Sequence, residues 1–353
     1  MKKILCAVAL AAGLSAMMPE NTEACTRVVY SGDTTGVETQ EVLRIVGRSL
    51  DWKTPIPTNL YVYPRGMRKV SSDLPGAIAW TSKYGAVYAV SYDGGITEGM
   101  NERGLVVNGL FCKGTVYVND QTSGRPPMSM AVFVGWMLDN CATTSEVVEM
   151  LRPQNFTISG ATFDGGTVSA LHWGITDAEG HTAIVEFVGG NITIHEGDDM
   201  NVLTNDPPYN QMQAINTYWE KIGGAHMLPG TVSSADRFVR ASFFDKNVVK
   251  TNDAAVGLPI IRSILVNASV PYLYTVDGEP NVSSTQWRTF ANIRDRQYWF
   301  DMVTAQGIYY IDLKKCDLRP GRPVMKITTA DMQSVCGDAT SLLKPVPPFT
   351  PMY

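Results

Sequence analysis

Short runs in which β-branched and aromatic residues alternate with polar ones recur along most of the chain, separated by turns bearing Gly, Asp or Asn. Alternation of this kind marks strands that bury one face. It predicts strands over Thr26–Tyr30 and Val42–Trp52, with Ser31-Gly32-Asp33-Thr34-Thr35-Gly36 as turn material between them. Further strands are predicted over Asn59–Tyr63, Ala86–Ser91 and Leu105–Phe111, the last entered from Met100-Asn101-Glu102-Arg103-Gly104, which reads as a tight structural turn. The clearest antiparallel unit runs from Leu171 to His195, where Asp177-Ala178-Glu179-Gly180 and Gly189-Gly190 supply the hairpin turns. Helical periodicity appears in two blocks, Met128–Asn140 with Ser145–Leu151, and Asn210–Ile222, Ala235–Val249 and Leu258–Val266. Thr143-Thr144-Ser145-Glu146 has the form of a capping box. Strands return at Gln286–Phe290, Tyr298–Met302 and Ile308–Leu313. Blocks of strands and helices without regular βαβ alternation predict an α+β fold with helices on antiparallel sheets. Neither a repeat nor a linker divides residues 25–353, so one domain is expected there.

The first residues break this pattern. Lys2 and Lys3 precede an apolar run from Ile4 to Met18, and Thr22-Glu23-Ala24 ends in a small residue before Cys25. This is the layout of a secretory signal peptide, and residues 1–24 are expected to be removed. Cleavage after Ala24 would place a thiol and a free α-amine on one residue, supplying a nucleophile together with a base whose pKa is about 7.7–8.0. An uncleaved anchor would need a run of about 20 apolar residues. Lipid attachment at Cys25 fits poorly with Glu23 beside the cut, and a disulfide is the ordinary fate of an exported cysteine. Cleavage leaves Cys25, Cys112, Cys141, Cys316 and Cys336, an odd number, which permits a free thiol; Cys316 and Cys336 are candidates to pair.

Composition narrows the classes. A net charge of −5 with dispersed charges and no basic stripe argues against a nucleic-acid partner. After the leader no apolar run is long enough to span a membrane. His172, His181, His195 and His226 are scattered, with no H-E-x-x-H or C-x-x-C, so no metal site is expected and no cofactor is called for.

Three motifs hold candidate chemistry. In Gly47-Arg48-Ser49-Leu50-Asp51-Trp52, at the end of the strand expected opposite Cys25, Asp51 could accept from the α-amine and Arg48 could polarise the thiol; a surface ion pair is the plainer reading. In Leu203-Thr204-Asn205-Asp206-Pro207, Asn205 offers an amide donor for an oxyanion or an Asx turn before the prolines. Ser234-Ala235-Asp236-Arg237-Phe238-Val239-Arg240 starts a helix with Ser234 as expected N-cap, and Arg237 taken alone would face solvent. Trp52, Tyr61, Tyr63, Trp80 and Tyr84 would line an apolar pocket or fill the core.

Taken in order, Cys-Thr-Arg, Gly-Arg-Ser-Leu-Asp-Trp, Met-Asn-Glu-Arg-Gly-Leu, Leu-Thr-Asn-Asp-Pro and Asp-Arg-Phe-Val-Arg resemble the choloylglycine hydrolase family of N-terminal-nucleophile hydrolases, which holds bile salt hydrolases and penicillin V acylases. The likeness is greatest to the secreted type of Gram-negative gut bacteria, which also has counterparts of Tyr-Val-Tyr-Pro-Arg, residues 61–65. The resemblance implies a four-layer αββα sandwich of two antiparallel sheets flanked by helices. It implies Cys25 as nucleophile, its α-amine as base, Asp51 and Arg48 holding amine and thiol, Asn205 donating to the oxyanion, and Arg237 completing the charge network. Phe111 follows Gly109-Leu110 where many Gram-positive members carry Asn or Tyr, so an oxyanion role there falls to its backbone N–H. Trp52 is expected at the substrate.

The expected reaction is hydrolysis of a linear amide with an apolar acyl half, first of all a glycine- or taurine-conjugated bile salt. Penicillin V and N-acyl homoserine lactones are alternatives within the same chemistry, and a non-catalytic periplasmic binder of apolar ligands is the alternative from another class. A periplasmic or secreted location and a homotetramer complete the expectations. Specificity should lie in the loops around residues 53–58, 77–84 and 154–168.

Overall fold

The computed structural model describes residues 24–117, 122–163, 166–276 and 279–353; residues 1–23, which carry the predicted leader, lie outside it. Two large sheets face each other. The first orders its strands 202–203, Ala24–Ser31 (β1), Arg44–Trp52 (β2), Glu279–Asn292, Gln297–Met302, Ile308–Asp312 and 337–338, with Tyr274–Val276 pairing beside it. The second runs 191–196, 182–188, 171–176, 106–111, 95–101, 86–91, Thr58–Tyr63 (β3), 324–327 and 344–346. All pairs in the two sheets are antiparallel except 308–312 with 337–338.

Helices cover the outer faces. Met130–Asn140 (α1) and Thr144–Leu151 (α2) lie on the second sheet; Ser234–Asn247 (α4) and Ala254–Asn267 (α5) lie on the first, with Tyr209–Ile222 (α3) against α4. Three apolar layers fill the spaces between, with Trp173 and Phe133 under α1, Trp287 and Phe300 between the sheets, and Phe238 and Ile261 under α4 and α5. This is the expected four-layer αββα arrangement.

Most predicted elements occupy their places within a few residues. Thr143 caps α2 by accepting from the Glu146 N–H, and the Glu146 carboxylate reaches one residue past the cap to accept from the Ala142 N–H, a variant of the expected capping box. On α4 the cap is Ser233, which accepts from the Asp236 N–H, while Ser234 accepts from the Asn205 N–H. Strand Gly95–Asn101 has no counterpart among the predicted elements: three of its seven residues are Gly or Asn, and a buried Glu interrupts the alternation. The Asn101 side chain accepts from the Arg103 and Leu105 N–H groups, and Gly104 takes φ +90°, so the following turn is structural as read. No disulfide forms among the described residues; Cys316 and Cys336 are free, as are Cys25, Cys112 and Cys141.

Candidate active site

Strand register decides which way each candidate points. β1 and β2 pair with Cys25 opposite Leu50 and Arg27 opposite Arg48. Alternation along a strand therefore puts Cys25, Arg27, Arg48, Leu50 and Trp52 on one face. Thr26, Ser49 and Asp51 take the other. The first face meets the second sheet and the other meets the helices. Arg48 and Asp51, three apart, thus serve opposite sides of the strand pair. Both are buried, so the surface ion pair is excluded. Between Asp51 and Leu50 the partner strand inserts one extra residue, Gln286, a bulge where the site begins.

On the inter-sheet face, Arg48 Nη2 lies 3.5 Å from Cys25 Sγ and donates to the Gly109 carbonyl at 3.0 Å. Arg27 fills the space behind, donating to Asn108 Oδ1 and Thr176 Oγ1. Gly174 makes room for it: a Cβ there would lie 2.6 Å from Arg27 Cδ. Burial draws the Arg27 pKa down to about 9 against the pull of Glu98.

On the helix side, Arg237 emerges from the first turn of α4 directly beneath β1 and is fully buried, not solvent-facing. Its Nη1 donates to the Cys25 carbonyl (2.6 Å) and Thr26 Oγ1 (2.7 Å), Nη2 to Asn205 Oδ1 (2.7 Å), and Nε to the Val232 carbonyl (2.9 Å). Burial lowers its pKa against the pull of Asp51 and Cys25. Asp51 accepts from Thr285 Oγ1 at 2.5 Å and Ser49 Oγ at 3.3 Å; burial raises its pKa against Arg237, the Thr285 hydroxyl and Arg48. Asp51 sits opposite Ala24, one residue before Cys25.

Asn205 joins the two sides. Its Oδ1 accepts from the Cys25 backbone N–H at 2.7 Å as well as from Arg237. Both partners can only donate, which fixes the amide orientation. Nδ2 gives one of its two protons to the Phe111 carbonyl at 2.7 Å. The Cys112 N–H pairs with Ala170 across the sheet, so the N–H and C=O of Phe111 point to the other edge, where Asn205 and Cys25 lie.

An apolar cleft opens beside Cys25. Trp52 anchors it, with ring centroids 5.4 Å from Phe111 and 5.5 Å from Phe163. It holds about 100 Å³ of free space and is partly open to solvent. Ile56, Ala161 and Phe163 bring the loops around 53–58 and 154–168 to it, as expected. The 77–84 segment contributes nothing: Ala79–Thr81 pairs with Arg68–Val70, and Trp80 is tied to Asp139. Tyr92, Ile96 and Met130 take that place, and Tyr61, Tyr63 and Trp80 belong to the core. Their role was invisible in the sequence because it depends on how the strand 95–101 approaches α1.

Beneath Asn205 lies a cluster the scattered histidines did not announce. Cys112, His172 and Glu186 bring three metal-type donor atoms within 4.8 Å of one another, all buried. Both ring nitrogens of His172 already have partners: Nε2 donates to the Thr204 carbonyl (2.8 Å), and Nδ1 faces Glu186 (3.2 Å). A proton between Nδ1 and the carboxylate accounts for the pair without a metal. Asp206 accepts from the Lys113 and Gly114 N–H groups, so both neighbours of Asn205 are pinned. Burial alone would lower the His172 pKa, but Cys112 and Glu186 outweigh it and carry it up to about 10. Burial would raise that of Glu186, but His172 and His195 bring it down to about 2. His172 thus contributes stability fully below its ordinary 6.5 and loses it as pH rises through about 10, while Glu186 contributes above 4.5 and loses it as pH falls through about 2. The urea midpoint should be flat between about 4.5 and 6.5 and fall on either side, and His172→Gln should remove much of the alkaline decline. An equally steep alkaline decline in that variant would refute the assignment.

This chain is similar to known proteins over nearly its whole length. The profile of the family described as linear amide C-N hydrolases, choloylglycine hydrolase family, matches residues 25–338. Penicillin V acylase of Pectobacterium atrosepticum is 35% identical over 348 residues, covering 92% of this chain and 91% of its own. Bile salt hydrolase/transferase of Bifidobacterium longum is 29% identical, covering 66% of this chain and 78% of its own. The structure of penicillin V acylase from Agrobacterium tumefaciens superposes with a TM-score of 0.83 at 37% identity, covering 93% of this chain and 99% of that one. With the two-sheet sandwich, the five motifs and the profile beginning at Cys25 in agreement, this chain belongs to the choloylglycine hydrolase family of linear amide C-N hydrolases.

Proposed function

We propose that Cys25, freed as the N-terminal residue, is the nucleophile that hydrolyses small N-acyl amides whose acyl half is apolar. The carrying observation is a buried cysteine whose sulfur borders an aromatic cleft while its nitrogen is held by Asn205. Removal of residues 1–24 and a periplasmic or secreted location belong to this proposal; intact mass of the exported protein should begin at Cys25, and retained leader or added lipid would sink it. Homo-oligomeric assembly rests on the family resemblance and is read by light scattering.

In the proposed reaction the Cys25 α-amine takes the thiol proton, and Sγ attacks the amide carbon, forming a C–S bond. Arg48 beside Sγ favours the thiolate, and Asp51 beside the new N-terminus holds the amine. The oxyanion receives the second Nδ2 proton of Asn205 and the Phe111 N–H. The C–N bond breaks as the ammonium returns its proton to the leaving amine. Water then gives a proton to the α-amine and attacks the thioester, and the C–S bond breaks to release the acid and restore the thiol.

Two substrate readings draw on different observations. The apolar, partly open character of the cleft suits the rigid apolar body of a conjugated bile salt, with glycine or taurine leaving as amine. Its free space, about 100 Å³, is near that of an apolar cavity that holds benzene, about 150 Å³, and suits the flat aryl group of penicillin V. The 35% identity to a penicillin V acylase supports the second. Amine release from glycocholate, taurocholate and penicillin V separates them. Turnover of the bile salts alone selects the first and of penicillin V alone the second. Silence on all three from a correctly processed chain defeats both and directs the search to other N-acyl amides, homoserine lactones among them.

A further inference from the structure

We propose that Glu98 is a positioning residue that sets the charge felt by the Cys25 thiol, acting through Arg48. The inference rests on the reading of Cys25 as nucleophile. Glu98 sits on the strand Gly95–Asn101, fully buried between the sheets. A carboxylate there must be compensated. Its Oε1 accepts from Thr289 Oγ1 and from the Tyr298 hydroxyl, 2.6 Å away, both on the first sheet. Its Oε2 lies 3.4 Å from Arg48 Nε, a length at which charge more than a directed hydrogen bond holds the pair. The far end of the same guanidinium lies 3.5 Å from Cys25 Sγ, and its plane rests over Trp287 at 4.8 Å. One guanidinium therefore bridges Glu98 and the sulfur.

The other charges near the nucleophile are accounted for. Arg27, on the same face, also feels Glu98 but is spent on Asn108 and Thr176. Asp51 and Arg237 lie on the helix side, with Arg288 and Arg240 behind them. Among these groups Glu98 is the carboxylate on the sulfur's own side of the strand pair. A purely structural role would be to neutralise Arg27 and Arg48 so that they can be buried. The two roles part when charge is removed and shape is kept.

Glu98→Gln preserves an acceptor for Thr289 and Tyr298 and deletes the negative charge. The site becomes more positive, so thiol and α-amine both release protons at lower pH. A unit charge at a separation on the order of 10 Å, with an effective dielectric near 20, corresponds to a shift of about one pH unit. The readout is the pH dependence of Cys25 alkylation by iodoacetamide in the chain beginning at Cys25, scored by mass, which needs no substrate. The midpoint should fall by about one unit in Glu98→Gln. It should stay in place in Tyr298→Phe, which removes a bond and keeps the charge, and in Glu98→Asp, which moves the charge little. An unshifted midpoint in folded Glu98→Gln overturns the proposal, as does a shift of a full unit in either charge-preserving variant, which remains testable even if Glu98→Gln does not fold. A protein that turns over no amide would fail the functional reading and leave the alkylation result to stand or fall by itself.

Discussion

Cys25→Ser is expected to lower kcat/KM for the amide substrate by on the order of 10³-fold or more, the scale seen when a nucleophile is removed from a cooperating site. The alcohol is a far weaker nucleophile beside an amine base than the thiol it replaces, since its proton is held more tightly at every working pH. The loss should fall on kcat rather than on binding, because serine keeps the backbone contacts of residue 25 and the aromatic walls of the cleft are untouched. Steady-state kinetics on whichever amide proves to be turned over measures this directly. Retention of full activity would mean that Cys25 is not the nucleophile.

Arg237→Leu should produce the largest loss of stability, about 3–5 kcal/mol, the range for breaking a buried charge network by removing one partner. The guanidinium serves four acceptors at 2.6–2.9 Å, namely Val232 O, Cys25 O, Thr26 Oγ1 and Asn205 Oδ1. Its removal also takes from buried Asp51 one of the cations that offset its burial. Denaturant unfolding should show the loss. Activity should fall as well, since Asn205 would lose one of the two bonds that fix its amide orientation. A loss below about 1 kcal/mol would place Arg237 among ordinary surface cations, for which such values are usual.

The contrast between these two residues shows what the chain discloses before it folds. Cys25 is legible because it stands at the end of a leader-like segment, and the spacing of Arg48 and Asp51 is legible because strand periodicity is regular. Their opposite orientations follow from that same periodicity once β1 and β2 are paired. Arg237 is read as solvent-facing by composition because Arg is rarely buried; its burial depends on α4 docking against β1, a contact more than 200 residues away in sequence. Glu98 is hidden for the same reason. A lone acid on a Gly-bearing stretch carries no motif, and its partners Arg48, Thr289 and Tyr298 come from three other strands. The cleft loops around 53–58 and 154–168 are legible as segments between the stronger predicted elements, whereas Tyr92 and Met130 enter the cleft only through the packing of the second sheet under α1. Local pattern thus reveals elements and the proposed nucleophile, and long-range packing assigns the charges around it.

The way Cys25 is held has a practical side. Its nitrogen is held by Asn205 and its carbonyl by Arg237, so the main chain at this position is clamped independently of the side chain. Cys25→Ala should therefore give a properly shaped but chemically silent protein, able to hold an uncleaved amide in the cleft long enough for calorimetry or crystallography. Such a trap would report the natural ligand by what it retains from a mixture, with no prior guess at the acyl group.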